Sequence, residues 1–203
     1  MGTYAFSFCT SLTSVRIPTG VTYIAEGSFY QCTVLTSVTI PVGVTSIEIG
    51  AFWDCISLMS VAIPNSVTSI LREAFFNCNN LTRVYFNGSA PSVGSSVFSG
   101  DNNATVYYLP GTTGWSSTFG GRPTKLWNPQ AQTTGTSFGV RTNRFGFNIT
   151  GTSGLVIVVE ASTNLASSNW TPVSTNTLTN GLTYFSDPQW TNYPGRFYRL
   201  RSP

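Results

Sequence analysis

The sequence predicts a mainly β protein: a solenoid of 23-residue units with short strands and short helical turns, followed by a small antiparallel β-sandwich. Three observations carry this. Cys9, Cys32, Cys55 and Cys78 recur at a constant step of 23, and Phe6, Phe29, Phe52, Phe75 and Phe98 keep the same step. A fixed period of this length marks stacked repeats. After Trp127 the repeat stops, and short alternating runs separated by turn residues take over. Charged residues make up only 8% of the chain, with Ser, Thr, Asn and Gly supplying the polar surface. That balance, with many aromatic and β-branched residues, argues against disorder and suits an extracellular β-rich protein.

One unit shows why coils must stack. In L-x-x-V-x-I, read at Leu58 to Ile63, Val61 and Ile63 alternate with polar or small residues, so both point to one side of a short strand. Pro64 ends it, having no N–H to donate to a ladder. V-T-S-I at 67–70 is a second extended segment. A small residue and F-x-x-C follow, with room for a turn or two of helix that puts Phe and Cys on one face. A single unit buries too little to fold alone; stacking brings each side chain against its equivalents. The structural columns are therefore Phe29, Phe52 and Phe75, and Cys9, Cys32, Cys55 and Cys78.

The motif A-F-x-x-C-x-x-L-x-S-V-x-I-P-x-x-V-T-S-I, read from Ala51 to Ile70 and echoed three more times, resembles the BspA-like, or treponema-type, leucine-rich repeats. The resemblance spans about residues 2–98. It implies a secreted or surface-displayed bacterial or protist protein, tied to adhesion or protein binding.

Taken in order, residues 2–24 hold the end of one unit with nothing upstream to cover it. Its open strand edge and apolar face predict self-association or packing against further sequence. Met1 runs at once into mid-repeat residues, so the chain is expected to be a fragment or processed product. The units at 25–47 and 48–70 are regular. The next loosens, with Arg72, Glu73, Arg83, Tyr85 and Asn87 breaking the pattern. Residues 97–127 read as a cap, with T-V-Y-Y-L as its final strand. The solenoid is thus expected over 1–127, a linker over 128–136 and the sandwich over 137–203. Charge changes sign near the boundary: three arginines oppose five carboxylates in 1–121, and seven cations oppose two in 122–203. Six strands are expected in the last part, near 138–141, 145–149, 155–162, 171–174, 183–186 and 196–200. V-E-A-S-T-N-L, then W-T-P-V and a closing G-R-F-Y-R-L, resemble a C-terminal module of secreted Verrucomicrobia-type bacterial proteins.

Catalytic chemistry has little to work with. The chain has no His, which removes Ser-His-Asp and Cys-His arrangements. It has no C-x-x-C, G-x-G-x-x-G or P-loop, so no metal or cofactor is expected. The cysteines lie on the side read as helical, where packed helices stand about 8–10 Å apart, farther than a bridge of roughly 7 Å reaches. They are read as buried column residues. No apolar run is long enough to span a membrane, and the small net charge of +3 does not point to nucleic acid.

What remains is surface. The outward positions of the main strand include Arg16, Thr39, Arg83 and Tyr85. Tyr30, Trp53 and Phe76 form a second aromatic column beside the buried phenylalanines. If exposed, it is suited to a protein partner or to stacking on a surface glycan; if packed between coils, it is core. Trp170, Trp190 and Tyr193 are the corresponding sugar-stacking candidates in the last domain. The sequence predicts a secreted or cell-surface, non-catalytic binding or adhesion protein. Its rivals are a self-assembling structural protein and a carbohydrate-binding C-terminal module.

Overall fold

Each repeat closes one coil, and every coil hydrogen-bonds to the next along three stretches of backbone. The computed structural model describes all 203 residues, which divide into two units, Met1–Leu126 and Trp127–Pro203. The first contains β1 (Ser14–Arg16), β2 (Tyr23–Ile24), β3 (Ser37–Thr39), β4 (Ser46–Ile47), β5 (Ser60–Ile63), β6 (Ser69–Ile70), β7 (Arg83–Phe86), β8 (Ser92–Val93), β9 (Thr105–Tyr108), β10 (Thr118–Phe119) and β11 (Arg122–Leu126). β1 pairs β3 in parallel, with Val15 opposite Val38. β5, β7, β9 and β11 form a second parallel run, which β10 closes as an antiparallel edge. β2, β4, β6 and β8 make the other wall, Ile24, Ile47, Ile70 and Val93 in register.

The third side is not helical, which corrects the expectation of helical turns. Its segments are successive turns whose alternate amides reach the neighbouring coil. Gly27, Phe29 and Gln31 donate to the carbonyls of Ile49, Ala51 and Trp53 at 2.8–3.0 Å. The reason lies in two columns of left-handed residues: Tyr4, Gly27, Gly50, Glu73 and Ser96, and Phe8, Gln31, Asp54, Asn77 and Gly100. A positive φ twice per turn prevents a helix. Asp54 ties its column together, accepting from Gln31 Nε2 at 3.2 Å and from Asn77 Nδ2 at 2.5 Å.

Between these walls lies the core. Phe6, Phe29, Phe52, Phe75 and Phe98 stack nearly parallel, ring centroids 5.1–5.6 Å apart. All but Phe6 are buried. Cys32, Cys55 and Cys78 are buried beside them, and Cys9 is half-buried; all four thiols are free. The S–H groups of Cys32, Cys55 and Cys78 donate to the carbonyls of Phe6, Phe29 and Phe52 at 3.1–3.2 Å. Burial pushes the Cys32 thiol up to about 11 and raises those of Cys55 and Cys78 well above the ordinary thiol value. The cap holds two strands more than expected: β11, R-P-T-K-L, lies parallel to β9, and β10 pairs with it antiparallel.

In the second unit, β12 (Gln130–Ala131), β13 (Gly139–Arg141), β14 (Arg144–Thr150), β15 (Val156–Ser162), β16 (Thr171–Thr177), β17 (Leu182–Asp187) and β18 (Phe197–Arg201) form two antiparallel sheets. β14 is central to one, flanked by β17 and by β12 and β13. β15 is central to the other, between β16 and β18. β12 lies within the stretch read as a linker. Phe145, Phe147 and Phe185 of the first sheet pack on Tyr198 of the second at 5.3–6.0 Å. Glu160 is buried on β15, and Arg199 and Arg201 both pair with it, at 2.7 and 2.5 Å.

Candidate binding surface

Every turn of the solenoid places two aromatic residues side by side, and the backbone sends them to different environments. Phe29, Phe52 and Phe75 enter the core, whereas Tyr30, Trp53 and Phe76 are half-buried. These three are neither solvated freely nor core. They meet edge-to-face or tilted, Tyr30 to Trp53 at 5.8 Å and Trp53 to Phe76 at 4.7 Å. Tyr4 and Phe8 of the first coil extend the row, packing on Tyr30 at 6.3 and 5.3 Å. They are 49% and 60% exposed. The result is an aromatic ladder along the turn side.

Beside the ladder runs a shallow groove of about 370 Å³, lined by Tyr4, Phe8, Tyr30 and Trp53 together with Glu26, Arg72 and Glu73. Its floor depends on glycine. Gly27 and Gly50 both have φ of 57°. A Cβ on Gly27 would fall 2.1 Å from the Tyr4 ring, and one on Gly50 would press on Trp53 at 3.4 Å. Arg72 and Glu73 form an exposed ion pair at 3.5 Å. The groove offers flat apolar faces, both signs of charge and the two phenol hydroxyls of Tyr4 and Tyr30, a mixture found at contact surfaces. No cluster of three potential metal ligands occurs anywhere in the chain.

The strand face differs from its expectation. Arg16 and Thr39 are exposed and lie opposite one another in register, and Arg83 is half-buried. Tyr85, expected on the surface, is 4% exposed. Its ring stacks on Tyr107 of β9 at 5.1 Å, and Tyr107 is also buried. Alternation puts Tyr85 outside the solenoid core, but the strand contributed by the cap supplies a partner for its ring.

The three aromatic candidates of the second unit do not converge. The Arg199 guanidinium lies 4.5 Å over Trp170, whose Nε1 donates to the Ser167 carbonyl. Trp190 sits on a short 3-10 helix, with its Nε1 sealed from solvent. Tyr193 has one face under Arg196 at 4.3 Å, and Arg196 in turn pairs with the buried Asp187 at 3.0 Å. Only Tyr193 of the three borders a polar cleft of about 660 Å³, which Asp187 and Arg196 also line.

Comparison with known proteins agrees with the coil geometry. The family model described as BspA type leucine rich repeat region matches residues 1–117 as six copies. A crystal structure of a leucine-rich repeat protein from T. pallidum is similar over 52% of this chain, at 32% identity and a TM-score of 0.50. A second, from Bacteroides ovatus, is similar over 60% of the chain at 21% identity and a TM-score of 0.48. This chain spans 50% and 32% of the lengths of those two proteins. The comparison with curated proteins gives no match. No helix is long and apolar enough to cross a membrane.

Proposed function

Because the chain belongs to the BspA-type leucine-rich repeat family, we propose that it is a secreted or cell-surface, non-catalytic binding or adhesion protein. Its contact surface is the Tyr30–Trp53–Phe76 ladder with the adjoining groove. The observation that carries this reading is the half-exposure of that column beside a fully buried one. Aromatic faces left partly wet next to paired charges are the kind of surface that anchors a partner. The low charge and hydroxyl-rich exterior favour an extracellular setting, and the second unit, similar to a module of secreted bacterial proteins, serves to attach or sort the chain. The partner is a protein or a surface glycan.

The test is binding of the full chain to a panel of purified extracellular matrix proteins and surface glycans, by surface plasmon resonance. Trp53→Ala is expected to weaken the responding partner at least tenfold, since buried aromatic anchors dominate interfaces. Arg16→Glu with Thr39→Lys, on the strand face, is expected to leave it unchanged. The reverse pattern would move the surface to the strand face and end this reading. The exposed rings of Tyr4, Phe6 and Phe8 favour a second reading, self-association through the first coil. Sedimentation at rising concentration separates the two, because a strict monomer leaves only the first.

A further inference from the structure

The second unit carries five arginines and two acidic side chains, and the acids are already engaged. Glu160 holds Arg199 and Arg201, and Asp187 holds Arg196. The two remaining cations, Arg141 and Arg144, are exposed and form no ion pair. They are not scattered. They close the β13–β14 hairpin directly opposite one another, across a tight turn whose two residues, Thr142 and Asn143, both have positive φ. Side chains so placed have Cβ atoms about 5 Å apart, and like charges there repel. The fold keeps an unneutralised pair at close quarters.

Strand register fixes what shares their face. Gly146 and Asn148 of β14 lie on the same side as Arg144, and Ser186 and Tyr184 of β17 stand opposite them. The alternate positions, Phe145, Phe147 and Phe185, point into the sandwich. Gly146 makes room on this face for the Tyr184 side chain: a Cβ there would fall 2.3 Å from the Tyr184 hydroxyl. The phenol therefore lies across the glycine, towards the arginines. Arg141, Arg144, Asn148, Tyr184 and Ser186 together line a pocket of about 680 Å³ that contains no acidic side chain.

We infer that this face is a binding site for an oxyanion carried on an acidic glycan. Two guanidinium groups offer planar N–H forks that match the two-oxygen edge of a carboxylate or a sulfate ester. The half-exposed Tyr184 ring and the Asn148 amide supply an apolar face and a hydrogen-bonding edge for the sugar that bears it. Bound anion also removes the repulsion across the hairpin. The site is independent of the ladder on the solenoid.

The test is calorimetric titration of the full chain with a polyuronate, a sulfated glycan and a neutral glucan of similar length. The polyuronate arm reports carboxylate recognition and the sulfated arm sulfate recognition. Wild type is expected to bind at least one anionic chain and not the neutral one, with affinity falling as salt rises. Arg141→Gln with Arg144→Gln should lose at least tenfold in affinity while melting at the same or a higher temperature. Tyr184→Phe should lose severalfold. Arg122→Gln with Lys125→Gln, which removes equal charge elsewhere, should bind as wild type does. Equal loss in both double variants, or no binding to either anionic chain, would overturn the site. So would equal binding to any polyanion, nucleic acid included.

Discussion

Asp101 stands where the cysteine column would place its next member, 23 residues after Cys78. It is fully buried. A thiol satisfies that position by donating to a carbonyl of the coil before, which an ionised carboxylate cannot do. Burial pushes the Asp101 pKa up from 3.8 to about 7, against the opposing pull of the Cys78 backbone and Arg122. A carboxyl raised in the fold favours the folded state while it is protonated. Its contribution is full below about pH 4, the unfolded value, and is lost as the pH rises to about 7. Asp101→Asn should therefore match wild type in stability near pH 4. At pH 8 it should exceed it, by on the order of 4 kcal/mol. Urea denaturation at the two pH values measures this; an equal difference at both would remove the proton from the explanation. Position 101 was legible as a break in the column, but its consequence was not, since the period says nothing about how deep the end of a column lies.

At the scale of the element, the coil shows what a repeat pattern conveys and what it hides. The strands V-x-I and T-S-I could be read because alternation reports burial directly. The third side looks helical in sequence because Phe and Cys three apart fit a helical face equally well. The deciding signal was conformational: Gly27 and Gly50 in one column, Asp54 and Asn77 in the other, all residue types that tolerate positive φ. Glu73 breaks the first of these columns at φ 60°. Glu73→Gly should stabilise the solenoid by about 1 kcal/mol, because it relieves a strained conformation. The exposed pair with Arg72 that it gives up contributes little. A loss of stability on thermal melting would mean that the ion pair outweighs the strain. β10 and β11 are hidden for another reason: the Gly- and Ser-rich stretch around Thr118 and the run Arg122, Pro123, Lys125 look like loops, and only pairing at the sheet edge beside β9 makes strands of them. In the sandwich, by contrast, all six expected strands are present: β14 alternates between apolar and polar residues, β15 is an apolar run, and turn residues bound the rest.

Over the whole molecule, the repeat divides labour between neighbouring residues. One aromatic residue of each coil holds the stack, and the next stays half-buried on the turn side, where the proposed contact surface lies. Whether Tyr30, Trp53 and Phe76 were wet could not be read from the sequence, since both aromatics share the period; the answer depends on where the turn sends each Cβ. The same limit applied to Tyr85, whose burial depends on Tyr107, a residue of the cap outside the regular repeat. The charge imbalance of the last third was visible, but its concentration at Arg141 and Arg144 required the pairings of Glu160 and Asp187.

Comparing Phe52→Ala with Trp53→Ala, in thermal stability and in partner binding together, tests this division most directly. Phe52 stacks on both Phe29 and Phe75 at 5.2 and 5.1 Å, so its truncation should cost about 3–5 kcal/mol. Trp53→Ala should cost about 1 kcal/mol and abolish binding in a protein that remains folded. If Trp53→Ala unfolds the solenoid as deeply as Phe52→Ala, or binds as wild type does, the ladder is part of the core and the surface lies elsewhere.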